Sequence, residues 1–190
     1  MIDIELKNMS TILAQLDDKA QDIIAIRTVN KVGAQGRTAA AKAIFEVYPI
    51  KKKGDFKKRI YYHRATKGNP AFVIRASKRW SRALSLTKFP SGQAKKTGAW
   101  AKPRGQKITY KRGFIRTMSS GHEGIFIRTG KDRYPIRELT GPTPGHLLNR
   151  PETKKAVQKR VNQQYRKVLM HEIQYYFSSK SRRGSRRRSK

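Results

Sequence analysis

Between Phe56 and His122 the chain carries eighteen lysines and arginines and no carboxylate in 67 residues. A fold built from such a segment cannot neutralise itself with internal ion pairs. Each cation must stay hydrated or meet negative charge from outside, and phosphate backbones are the commonest such neighbour. The excess is segregated along the chain. Residues 1–50 balance six acids with six bases, and 51–122 hold 21 bases and one acid. Residues 123–179 hold eleven bases and five acids, and 180–190 hold seven bases and no acid, for a net charge of +33 overall.

With 190 residues of which 36% are apolar, the chain is expected to bury one modest core. We read a single domain over 1–179, with an extended basic loop at about 90–106 and an Arg/Ser-rich basic tail over 180–190. The absence of cysteine removes disulfides and thiolate metal sites and points to a reducing compartment, with synthesis in the cytoplasm. The start Met1-Ile2-Asp3-Ile4-Glu5 lacks the basic and apolar regions of a signal peptide, and no apolar run approaches the roughly 18 residues of a membrane span. No membrane role is expected.

Helical spacing of Leu13, Leu16, Ala20, Ile23, Ile24, Val32, Ala40, Ile44 and Val47 predicts a helix from Leu13 to Val47, capped by Ser10 or Thr11. Gly33 and Gly36 interrupt it, which implies a bend or a close backbone approach. Beyond Pro49, Asp55 is expected to open a short basic helix over 54–60. Residues 71–76 and 83–89 have strand composition, with 77–82 a turn or helical turn between them. Pro90 to Gln106 reads as a long exposed loop. Lys107–Tyr110 is extended, and Phe114–Met118 and Ile125–Thr129 form a hairpin around 119–124. A helix follows from Pro151 to Phe177, with Val157, Val161, Tyr165, Val168, Ile173 and Tyr176 on one stripe. The eleven residues after Ser179 have nothing to bury and are expected to be disordered. The fold class is therefore α+β: a long N-terminal helix and a C-terminal helix packed on a small antiparallel sheet, with long basic loops and a disordered basic tail.

Catalysis needs convergent groups, and the sequence offers few. Its histidines are at 63, 122, 146 and 171, no triad or metal spacing emerges, and half of the carboxylates lie in the first fifty residues. His122 and Glu123 fall in the expected hairpin turn. Gly124 to Asp132 resembles a phosphate loop only superficially: its spacing is one residue too long, and Asp132 replaces the required hydroxyl. We expect no enzyme, no cofactor, no metal and no small-molecule substrate. Trp80, Tyr61, Tyr62, Trp100 and Tyr110 lie among the cations, but no recognised nucleic-acid motif accompanies them, so binding should be backbone-directed. The candidate polyanion contacts are Lys95, Lys96, Lys102, Arg104, Lys107, Arg182, Arg183, Arg186, Arg187 and Arg188.

The run Arg128-Thr129-Gly130-Lys131-Asp132-Arg133-Tyr134-Pro135-Ile136, followed by a proline-rich stretch and a long basic helix, resembles the lambda-type minor tail protein Z family of phages. Val29-Asn30-Lys31-Val32 in the N-terminal helix, the basic Lys57-Lys58-Arg59, and Arg64-Ala65-Thr66 leading into Ala71-Phe72-Val73-Ile74 keep the same order, over roughly 15–175. The resemblance implies a structural virion protein that completes the head-proximal end of the tail, or neck, and supports head-tail joining. It implies a ring, a hexamer by likeness to other tail-completion proteins. The implied partners are the tail terminator, the tape-measure protein, the head-tail connector and the backbone of genomic DNA. It also suggests that Arg133, Tyr134, Pro135 and Ile136 pack against the core or a neighbouring subunit. Two rival readings remain: a free nucleic-acid-binding protein of ribosomal or chromatin type, and a DNA-handling nuclease, which the scarcity of carboxylates in the basic region disfavours.

Overall fold

The computed structural model describes residues 2–4, 13–14, 16–76, 83–94 and 96–188, with side chains described over 13–14, 16–76, 83–94 and 96–179. Residues 1–40, 62–75 and 151–190 form one compact unit, and 41–61 with 76–150 a second.

The first unit is dominated by two helices, as the periodicity predicts. Helix α1 spans Asp18–Val47. Asp17 caps it, its Oδ1 accepting from the Ala20 N–H at 2.9 Å, whereas the expected caps Ser10 and Thr11 lie outside the described residues. The C-terminal helix begins at Pro151, where a missing N–H costs nothing. Leu13, Ala20 and Ile24 are buried against Leu169, with Leu16, Ala25, Tyr165, Ile173 and Tyr176 packed around them. Beside them a three-stranded sheet is ordered β1-β3-β2, where β1 is Ile2–Ile4, β2 is Ile60–His63 and β3 is Phe72–Ala76. Strand β1 runs antiparallel to β3, with Ile2 opposite Ile74. Gly33 shows why α1 tolerates a glycine. A Cβ there would fall 2.2 Å from Cγ of Phe72, so the close approach expected at this position is the one found.

The expected end of the C-terminal helix at Phe177 is overturned, since the helix continues through Arg188. Its packed turns supply the nucleus, after which each added residue gains a backbone hydrogen bond. The tail anticipated as disordered is therefore helical in its backbone.

In the second unit, the short helix α2 covers Lys53–Lys57, two residues earlier than Asp55 would start it, and Lys52 at its N-cap makes no side-chain cap. Phe56 is the residue that fixes it, buried edge-on against Phe45 with ring centroids 5.6 Å apart. Residues 83–89 are not a strand. Leu84, Leu86 and Phe89 are buried, but Leu86–Lys88 is a 3₁₀ turn. The Ser85 and Thr87 hydroxyls both donate to the Glu123 carbonyl, at 3.2 and 2.8 Å. The turn itself is closed by the Lys88 N–H to the Ser85 carbonyl at 3.0 Å and the Phe89 N–H to the Leu86 carbonyl at 3.2 Å.

The loop expected over 90–106 is also corrected. Strands β4 (Ser91–Ala94) and β5 (Gly98–Ala101) form a hairpin, continued by β6 (Ile108–Tyr110). Ala99 and Ala101 are buried on its inner face, and Gly98 takes φ +93, which a side chain would disfavour. The anticipated hairpin is present as β7 (Phe114–Thr117) and β8 (Glu123–Arg128), closed by Met118 N–H to the His122 carbonyl at 2.8 Å. A strand that the sequence pattern does not announce, β9 (Ile136–Leu139), pairs antiparallel with β8. The six-residue helix α3 (Pro144–Asn149) is capped by Thr143, and the C-terminal helix Pro151–Arg188 is α4.

Candidate polyanion-binding surface

The sheet β4–β5–β6 carries four of the predicted cations, and its register sorts them to two ends. Ser91 pairs with Ala101, and Ala101 with Ile108. Lys102, Arg104 and Lys107 thus leave the sheet at one end. Lys96 sits in the β4–β5 turn at the other, roughly 15 Å away along the four-residue strand β5 at about 3.3 Å per residue. Lys95 lies outside the described residues. The predicted contacts Arg182, Arg183, Arg186, Arg187 and Arg188 fall on the last turns of α4, where side chains are not described.

At the first end, an aromatic residue organises the cations. Trp100 is half-buried, with the Lys107 Nζ 5.1 Å and the Lys102 Nζ 5.9 Å from its ring centroid. At these distances each ammonium is attracted by the electron-rich face of the indole. The Lys102 N–H donates to the Pro90 carbonyl at 2.8 Å, fixing the chain as it leaves β5. Arg104 lies over the ring of the buried Tyr48 at 6.0 Å, and Arg150 donates from Nη1 to the Tyr48 hydroxyl at 2.8 Å. Lys51 reaches Ser91 Oγ at 3.3 Å. Among the described residues, Lys96, Lys102, Arg104 and Lys107 have no carboxylate within ion-pair distance. This end is a cationic surface with its own aromatic floor and no described carboxylate to neutralise it.

Trp100, Tyr48 and Lys51 are not assigned to the surface by the sequence. The signal is present at Trp100, where the alternation Ala99-Trp100-Ala101 is the period of a strand with small residues inward. The glycines and prolines of the surrounding segment mask it.

The predicted interface run divides. Ile136 is half-buried and opens β9 opposite Arg128. Tyr134 is 55% exposed, with the Arg133 guanidinium 5.8 Å from its ring, so it is not packed in the core of this chain. Pro135 is exposed, and its carbonyl accepts from the Thr129 N–H at 3.1 Å and hydroxyl at 3.0 Å. These bonds tie the exposed turn to the end of β8.

Elsewhere the chemistry is sparse. His122, in the turn before β8, lies 2.9 Å from Oε1 of the partly buried Glu138 on β9. Glu172 is buried on α4 and pairs with the Lys31 ammonium, with His171 Nδ1 at 3.5 Å. Burial pushes the Tyr110 phenol above its ordinary value. Among the described residues no group of three or more acidic or histidine side chains could hold a metal ion. No described helix is long and apolar enough to cross a membrane.

A family model described as prophage minor tail protein Z (GPZ) matches residues 6–183. No curated protein and no solved structure matches the chain.

Proposed function

We propose, from the premise that the chain belongs to the prophage minor tail protein Z (GPZ) family and is thus a structural tail protein, that it completes the head-proximal end of the tail and supports joining to the head. In this reading several copies, six if the ring is hexameric, surround the channel through which the genome leaves. The cationic end of β4–β5–β6 faces duplex phosphates or the end of the tape-measure protein, next to the tail terminator and the head-tail connector. The chain is made in the host cytoplasm and resides in the virion neck. It has no catalytic task.

The observation that carries this reading is the family match over nearly the whole chain. The unneutralised set Lys102, Arg104 and Lys107 supports the placement beside negative charge. Phosphates bound by such groups release counterions, which makes affinity insensitive to base sequence and steeply sensitive to salt.

An amber mutation in the coding frame tests the role. Filled heads and tails of finished length should accumulate without infectious particles, and labelled protein should map to the head-proximal tail tip. Normal infectivity, or a chain missing from purified particles and recovered with cellular RNA, refutes the reading and favours the free nucleic-acid-binding alternative.

A further inference from the structure

We propose that the open face of β4–β5–β6 binds unpaired nucleic acid, with a base stacked on Trp100 and its flanking phosphates held by Lys102 and Lys107. Strand register makes the platform. Gly92, Trp100 and Thr109 lie opposite one another across the three strands. They share the face away from the buried Ala99 and Ala101, and Thr109 is exposed.

At Gly92 a Cβ would fall 2.9 Å from the indole Cζ2 and 3.0 Å from Cε2 and Nε1. The indole therefore lies across β4 in space that only glycine leaves free, with one ring face on the strand. A large ring laid along a sheet, beside an exposed threonine, is a platform on which a base can stack. Stacking of this kind tolerates any base, because every base has a π face.

The two ammoniums at 5.1 and 5.9 Å from the ring centroid are on flexible stems. They can swing from the ring to phosphates on either side of a stacked base. A duplex interior offers no free base face, so the stacking contact selects unpaired strands, whereas the cations alone accept any polyanion. This inference rests on reading the sheet as a polyanion surface, and the test separates the two.

The chain has two tryptophans, so Trp80→Phe leaves Trp100 as the sole indole. In that background, an oligothymidine should quench the indole emission at low salt, and an oligouridine should act alike because stacking ignores the sugar. Heparin, a polyanion without bases, should bind without comparable quenching. Trp100→Ala should weaken oligothymidine binding by about five- to 150-fold and leave heparin affinity unchanged, while Trp100→Phe, which keeps a ring and reports on folding, should retain most of the affinity. Emission unmoved by oligothymidine, equal quenching by heparin, or undiminished binding by Trp100→Ala would each overturn the stacking site. Heparin binding without a stacking signal would leave the polyanion surface standing.

Discussion

Replacing Gly33 with alanine sets two effects of opposite sign against each other, and the geometry decides between them. Alanine in a helix interior is favoured over glycine by about 1 kcal/mol. At position 33 the new methyl would lie 2.2, 2.4 and 2.6 Å from Cγ, Cδ1 and Cδ2 of Phe72. Those atoms are the root of a rigid ring, not the end of a flexible chain. The ring is fully buried and stacked on Tyr62 at 5.2 Å, so it has nowhere to move. Overpacking of this sort costs about 1–3 kcal/mol, and approaches this short put it at the upper end, for a net loss of about 1–2 kcal/mol. At about 2–4 °C per kcal/mol for a chain of this size, thermal melting should fall by roughly 2–8 °C, with a matching drop in the urea midpoint. Gly54 on α2 is the internal control, because a Cβ there meets nothing within 4 Å. Gly54→Ala should stabilise by up to about 1 kcal/mol. Phe72→Leu should recover part of the Gly33→Ala loss, giving a non-zero coupling in a double-mutant cycle. A Gly33→Ala protein as stable as the parent would refute close packing at this position.

Lys31→Met strips the buried Glu172 of its ammonium partner. Because that ammonium is half in water, the loss should be about 1–3 kcal/mol, below the full cost of breaking a buried pair; urea unfolding reads it, and Lys31→Met with Glu172→Leu should restore most of it. Tyr110 gives a pH signature. Burial raises its folded pKa, so above about pH 10 the unfolded chain loses the phenol proton first. Its contribution should be flat below about pH 9 and fall as pH rises further, visible as the difference in urea midpoint between the parent and Tyr110→Phe; a difference independent of pH counts against desolvation there. Converting Lys102, Arg104 and Lys107 together to glutamine should lower the slope of log K for duplex binding against log salt by about three, near one for each phosphate no longer neutralised. An unchanged slope would mean that other cations meet the phosphates.

What is legible in the sequence is set by periodicity over long stretches. The stripe through Val157, Val161 and Tyr165 and the apolar spacing of α1 survive any local accident, and both helices are present. The strands are missed where the local signal is short or shared. Ala99-Trp100-Ala101 alternates correctly, but alanine is a weak strand former, and the glycines that permit the hairpin are the residues that suggest a loop. Leu84, Leu86 and Phe89 are as buried as strand residues would be; the short-range bonds from the Lys88 and Phe89 N–H groups to the Ser85 and Leu86 carbonyls make the segment a turn. Glu172 is hidden because an isolated acid among the cations in the middle of α4 looks like a solvated residue, and only its neighbours in space show otherwise. The cationic surface is legible as a charge run, whereas its focus on Trp100 depends on strand register, which the run does not encode.

Several of the carboxylates already have internal tasks. Asp17 caps α1, Asp22 meets Lys67 at 3.3 Å, Glu138 meets His122, and Glu172 meets Lys31. Even with the rest counted, twelve acids stand against 45 lysines and arginines, so a neighbouring copy brings far more cations than carboxylates. Self-association therefore multiplies the charge of +33 instead of cancelling it, and screening by salt over about 8 Å cannot offset cations crowded on one sheet end. A ring of this chain alone would be opposed by its own field wherever Lys102, Arg104 and Lys107 approach their copies. If the proposed ring forms, its close assembly would therefore require negative charge supplied by something other than this chain, and the proposed polyanion would then be part of the architecture and not a later addition to it.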